Sequence, residues 1–395
     1  MKLGVVGLGQ AGGKIVDALL EYDQRTNSHI VYDALAVNTA TADLNALEHV
    51  PADARVLIGQ SQVGGQGVGG DNELGATITT EDITEIQQTI DTIPVHEIDA
   101  FLLVAALGGG TGSGALPVVG RNLKQLYTEP VYGLGILPST NEGGLYSLNA
   151  ARSLQTAVRE LDNLLVFDND AHRQANESLT GGYAAINREL ATRLGVLFGA
   201  GDIDTGTANP ESVVDASEII NTLKGGGVST LGYASQPLDE EDGTEAPGLL
   251  SRFTSGSSPD SAGGTNRITS LVRRATLGRL TFPVEPANVS IDRGLVIVAG
   301  PSDCLTRKGI ERGRTWVEEQ TGCLSIRGGD YPLPGSNTVA VAVLFSGLSG
   351  ADRLHELRSI GSEAQTTNSE RTGSSDRHLE SILGDDADEL DSIFN

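Results

Sequence analysis

Seven consecutive residues, Gly108-Gly109-Gly110-Thr111-Gly112-Ser113-Gly114, hold five glycines and two hydroxyls directly after the apolar run AFLLVAA (100–106). Backbone without Cβ lets several N–H groups approach one anion, and Thr111 and Ser113 add hydroxyl donors. Two further glycine-rich stretches occur. Gly7-Leu8-Gly9-Gln10-Ala11-Gly12 satisfies G-x-G-x-x-G and is followed by Gly13 and Lys14; GGQGVGGDNELG spans 64–75 and includes Gly69, Gly70 and Glu73. Each follows a strand-like segment, so all three emerge at the carboxyl edge of one parallel sheet. Their convergence reads as several phosphates wrapped by backbone N–H groups at helix starts. A fourth pattern, Asp215-Ala216-Ser217-Glu218, sets two carboxylates at i, i+3, where both face one side of a helix start. Acids are common at helix N-termini, so this spacing alone carries little weight.

Other chemistries fit less well. A nicotinamide dehydrogenase needs an acid after its second strand to hold the ribose. This chain offers Asn38-Thr39 there, and none of its six histidines (His29, His49, His96, His172, His355, His378) sits where a catalytic base is called for. The sequence G-x-x-x-x-G-K-[ST] is absent, which excludes a P-loop nucleotidase. A non-hydrolysing nucleotide-binding regulator is the alternative from another class, and Asp215 and Glu218 argue against it.

The elements around these loops alternate. Strands are read at 2–8, 30–37, ARVLIG, 100–106, VYGLGIL and LLVFDN. Helices are read at 12–20, 81–92, after GGGTGSG to Tyr127, and at 146–163. This order predicts an α/β, doubly wound parallel sheet at 1–178, with helices on both faces. A helix follows at 179–200, its stripe of Tyr183, Ile186, Leu190, Leu194 and Leu197 reading mainly as core. A smaller α+β domain follows at 201–348, with a helix near Val213, the strand GVSTLGYA and a helix at 268–280. Strands at 294–300, 323–326 and 337–345 and a helix at 307–320 complete it. A Gly/Ser/Pro/acid-rich loop interrupts this domain at 238–266, and an acidic, disordered tail runs from 349 to 395.

The 395-residue chain is 38% hydrophobic, enough for about two domains. It has no apolar run long enough for a transmembrane helix, and MKLGVVGLG enters a strand with no secretory signal. Its two cysteines, Cys304 and Cys323, suit a reducing cytoplasm. The formal charge is −25, spread along the whole chain. That self-repulsion is screened in concentrated salt, which points to a salt-accumulating cytoplasm. With no basic patch, direct binding to nucleic acid or anionic lipid is disfavoured.

GGGTGSG resembles the signature of the tubulin and FtsZ superfamily, with the tubulin-type serine at Ser113, and the match runs in order across roughly the first 350 residues. GLGQAGG resembles the tubulin version at Gln10, and Asn38-Thr39 the FtsZ version. The mixture, with the acidic composition, is most similar to the haloarchaeal CetZ branch. The resemblance implies a GTPase binding GTP and GDP with Mg²⁺. Its phosphates would meet Gly9, Gln10, Ala11, Gly12, Gly13, Lys14, Asn38, Gly69, Gly70, Gly108, Gly109, Gly110, Thr111, Gly112 and Ser113. Glu142 would hold the ribose, Tyr183 would stack on the base, and Asn169 and Asn187 would read its edge. Glu73 or Asp71 would reach the metal through water. Tyr146 departs from the family, lying near where FtsZ has an arginine. Asp215 and Glu218 would enter the pocket of the next subunit and position the attacking water. The implied partner is therefore the chain itself, in a head-to-tail filament serving cell shape, with an FtsZ-like division role as the alternative. By the same resemblance, loop 238–266 would tune lateral contacts, and the terminal DELDSIFN would take an adaptor protein.

Overall fold

The computed structural model describes residues 1–172, 179–201, 214–238 and 259–360. The centre of the acidic loop, the DELDSIFN terminus and the connection before Asp215 lie outside the described residues.

The strands are β1 (Leu3–Leu8), β2 (Val31–Asn38), β3 (Arg55–Leu57), β4 (Ala100–Ala106), β5 (Val131–Leu137), β6 (Asn163–Asp168), β7 (Val228–Pro237), β8 (Arg293–Gly300), β9 (Ile326–Pro332) and β10 (Thr338–Leu348). They form one sheet in the order β3-β2-β1-β4-β5-β6-β7-β10-β8-β9. The first seven in that order are mutually parallel, and β10 runs antiparallel to β7 and β8. β4 shows why continuous apolar runs suit this design: Phe101, Leu103 and Ala105 enter the core on one face, and Ala100, Leu102 and Val104 the core on the other.

The two halves of the sheet meet at β6 and β7, which pair only at Leu164↔Val228 and Leu165↔Ser229. Asn163 reinforces this short seam. Its buried amide donates to Leu223 O (3.0 Å), Gly226 O (3.1 Å) and Ser346 Oγ (2.9 Å) and accepts from Ser229 Oγ (2.6 Å). A fully satisfied buried polar group of this kind fixes the register of its neighbours.

The helices are α1 (Gly9–Thr26), α2 (Thr41–Asn45), α3 (Gln60–Val63), α4 (Asn72–Glu81), α5 (Ile83–Ile90), α6 (Thr111–Leu126), α7 (Gly144–Glu160), α8 (Asn169–His172), α9 (Leu179–Gly199), α10 (Ala216–Leu223), α11 (Pro259–Gly278), α12 (Arg307–Thr321) and α13 (352–360). Three of these helices and one strand differ from the sequence reading. Residues 72–75, read as loop, begin α4, because Asp71 caps it by accepting from Glu73 N and Leu74 N at 3.0 Å each. α11 starts inside the segment read as flexible loop. The strand read at 323–326 lies instead at β9, where pairing with β8 overrides the poor strand propensity of Gly328-Gly329-Asp330. α13 occupies the start of the segment read as disordered tail, with Leu354 and Leu357 buried against the core.

α9 crosses the molecule beside α1. Its Gly195 lies against the Tyr22 ring, where a Cβ would meet Cε1 at 2.0 Å. Its 21 residues make it about 30 Å long at the helical rise.

Candidate nucleotide site

At the carboxyl edge of β1, β2, β4 and β5 lies a cavity of about 650 Å³. The first glycine turn and GGGTGSG touch there backbone to backbone. Gly9 has φ 70°, and a Cβ on it would lie 2.8 Å from Gly112 N. Thr39 and Thr111 share a hydroxyl hydrogen bond of 2.7 Å, tying the end of β2 to the start of α6. Gly69 and Gly109 face open space, with nothing within 4 Å of a built Cβ. This is a cradle of bare backbone at the N-termini of α1 and α6, where N–H groups point outward and favour an anion.

Of the residues assigned to phosphate, Gly9, Gln10, Ala11, Lys14, Asn38, Gly69, Gly70, Gly108, Gly109, Gly110, Thr111 and Gly112 line the cavity. Gly12, Gly13 and Ser113 lie behind that lining. Gly12 packs α1 on β4, with a Cβ position 2.1 Å from Val104 O, and Gly13 sits beside Leu47. The buried Ser113 hydroxyl donates to Gly109 O and bends the glycine loop onto its own helix. Among the described residues, Lys14 is the only Lys or Arg lining the cavity.

The other end of the cavity is built by β5, β6 and α9. Glu142 closes a capping box, its Oε1 accepting from Ser139 N (2.9 Å) and from the Tyr183 hydroxyl (3.3 Å). Asn169 and Asn187 line this end with Phe167, and neither amide is hydrogen-bonded among the described residues. They are available to a ligand with donors and acceptors on one flat edge.

Glu73 does not line the cavity. It pairs with Arg152 at 2.8 Å, and Asp71 caps α4. Asp43 does line it, held by Gln10 Nε2 (2.7 Å) and Asn38 Nδ2 (3.2 Å). The sequence reading missed it because one acid in a polar stretch has no periodicity to mark it. It missed Asn149 too. This buried amide on α7 donates to Gly70 O (2.7 Å) and Gly108 O (3.0 Å), joining two glycine loops. An asparagine among the small residues of LNAARS was the available signal.

Asp215 and Glu218 lie elsewhere. Asp215 caps α10, accepting from Glu218 N at 3.0 Å and Ser217 Oγ at 2.5 Å. The Ser217 hydroxyl and these backbone N–H groups hold its carboxyl below the usual range. Glu218 is bonded by the Arg327 guanidinium. Their placement follows from α9. Tyr183, Ile186, Asn187 and Leu190, from its first half, line the cavity. At its other end Phe198 O accepts from the Met1 amine at 2.9 Å, at the amino edge of the sheet. Gly201 there abuts Ala216, with a Cβ position 3.1 Å from its Cα. Asn187 and Gly199 are roughly 18 Å apart along the axis. The cavity and the carboxylate pair therefore occupy opposite ends of the molecule.

Residues 2–177 match the Tubulin/FtsZ family, GTPase domain, and residues 176–363 match the Tubulin-like CetZ, C-terminal domain. The Tubulin-like protein CetZ4 of Haloferax volcanii is 93% identical over 394 residues, 100% of both chains. CetZ1 of the same organism is 60% identical over 369 residues, covering 92% of this chain and 93% of that protein. Among solved structures, the GDP-bound monomer of CetZ1 from Haloferax volcanii matches with a TM-score of 0.82 at 56% identity, over 92% of this chain and 100% of that one. The GTPgS-bound protofilament of CetZ2 from that organism matches with 0.81 at 42% identity, over 93% and 100%. The fold is thus that of the tubulin/FtsZ superfamily. Within it, the chain belongs to the tubulin-like CetZ family. Among the described residues no helix is long and apolar enough to cross a membrane.

Proposed function

We infer that this cytoskeletal GTPase binds guanine nucleotide in the cavity, polymerises head-to-tail in the cytoplasm and hydrolyses GTP at each subunit junction, in the service of cell shape. One observation carries this reading: the phosphate cradle and the carboxylate pair sit at opposite ends of α9, so one chain presents two complementary halves of a site. Stacking copies in one direction brings Asp215 and Glu218 of one to the cradle of the next, and such a contact repeats without closing.

In this reading the glycine backbone wraps the phosphates, Lys14 adds a positive charge, Glu142 takes the sugar, and Asn169 and Asn187 take the base edge. No cluster of three metal-ligating side chains exists among the described residues. Mg²⁺ keeps several waters and is held largely by phosphate oxygens, and Asp43, which lines the cavity, would meet its water shell. When bound, the metal neutralises charge on the phosphates. Asp215 and Glu218 orient water and accept its proton, and Arg327 holds Glu218 in place. Glu218→Gln is expected to keep GTP affinity and lower turnover about 100-fold, within the usual span for losing a proton acceptor. Parallel measurements of nucleotide binding and phosphate release check this. Unchanged turnover in polymers would remove Glu218 from the mechanism.

A further inference from the structure

The base-facing Asn169 is flanked by two acids. Asp168 is 3% exposed, and its Oδ1 accepts from Asp170 N at 3.0 Å. Asp170 in turn accepts from Ser139 Oγ (2.5 Å) and Thr140 N (2.9 Å), so it anchors the turn that carries Glu142. Two carboxylates this close repel, and burial penalises their charge. The cation that faces both comes from the far end of the described chain. Arg353 on α13 places Nε 3.5 Å from Asp168 Oδ2 and Nη2 3.8 Å from Asp170 Oδ2. Its Nη1 donates to Glu356 at 2.7 Å. The Arg353 side chain is 14% exposed, and its Nε and Nη2 have no hydrogen-bond acceptor, so they act on the two acids by charge. Leu354 and Leu357 bury beside it and hold α13 down.

We propose that Arg353 is a positioning residue for the nucleotide: from the C-terminal helix it neutralises the Asp168–Asp170 pair and thereby sets Asn169 on the base and the Ser139–Glu142 turn on the sugar. This rests on the cavity being the guanine-nucleotide site. It makes docking of α13 and nucleotide affinity two sides of one coupling, since linkage is reciprocal. The charged groups facing Asp168 are Asp170, Arg353 and Glu356. Burial raises the Asp168 carboxyl and Arg353 opposes that rise. Burial works the same way on Asp170, but the Ser139 and Thr140 bonds and Arg353 outweigh it and hold that carboxyl low. Removing Arg353 leaves Asp168 buried beside a like charge, so it takes up a proton on mild acidification.

The test uses the full chain, freed of nucleotide, in concentrated KCl, with GDP and inosine diphosphate (which lacks the exocyclic amine) as probes. Arg353→Ala is expected to weaken GDP binding about tenfold, to narrow the preference for GDP, and to recover part of the loss as pH falls towards about 5. Arg353→Lys restores affinity at neutral pH. A folded Arg353→Ala protein with wild-type affinity, preference and flat pH profile overturns the proposal. Should Arg353→Ala not fold, Arg353→Gln, which keeps the side chain's bulk without its charge, and Asp170→Asn form a double-mutant cycle on GDP affinity: coupling supports the proposal, and additivity overturns it. A wild-type chain that binds neither probe would instead overturn the reading of the cavity on which all this rests.

Discussion

At the residue scale, glycine does two jobs in this site that the sequence cannot tell apart. Gly109 has open space where its Cβ would be, whereas Gly12 has Val104 O at 2.1 Å. Gly109→Ala is therefore expected to leave thermal stability nearly unchanged while displacing phosphate and weakening GTP binding. Gly12→Ala should cost about 3 kcal/mol through overpacking, before any effect on ligand. Melting curves and nucleotide titrations on the two variants separate packing from binding. The two glycine motifs spell both positions alike, because a glycine records that backbone must come close but not what it comes close to. At Ser113 the hydroxyl donates to Gly109 O, a contact the motif does not spell. Asp43 and Asn149 gave no motif at all, since each acts through contacts made across the fold.

At the element scale, the parallel strands were legible because burial on both faces demands unbroken apolar runs. The strand assigned to 323–326 was not, since β9 exists through its pairing with β8 and through little in its own composition. α13 was hidden by the polar residues around Leu354 and Leu357. The contact between α1 and α9 carries a pH signature. Burial, and then the nearby Tyr331 and Tyr233, push the Tyr22 phenol up to about 12. A group raised in the folded state contributes stability that is complete below its unfolded value, about 10, and is lost as pH rises through the folded one. Wild type should thus lose stability between about pH 10 and 12, and Tyr22→Phe should flatten that loss. Denaturant melts across that range check it; equal slopes in the two proteins would count against the burial of Tyr22 as its cause.

At the scale of the whole molecule, a formal charge of −25 sets the conditions in which the fold holds. Stability is expected to rise from about 0.1 M to several molar KCl as the Debye length shrinks from ~10 Å to below ~3 Å, a trend that circular-dichroism melts at graded salt would follow. The composition made this visible at once. The α/β class was visible too, but the opposite placement of cradle and carboxylates was not: Asp215 sits just beyond α9 in sequence, and only the length and direction of that helix carry it to the other end. That separation yields the central claim, that each chain holds two halves of a site completed by its neighbours. The direct measurement is GTP turnover per subunit against protein concentration, in multi-molar KCl with Mg²⁺. The account predicts negligible turnover at low concentration and a steep rise above a critical concentration. Turnover per subunit that stays constant at every concentration would mean each chain carries a complete site, and would contradict it.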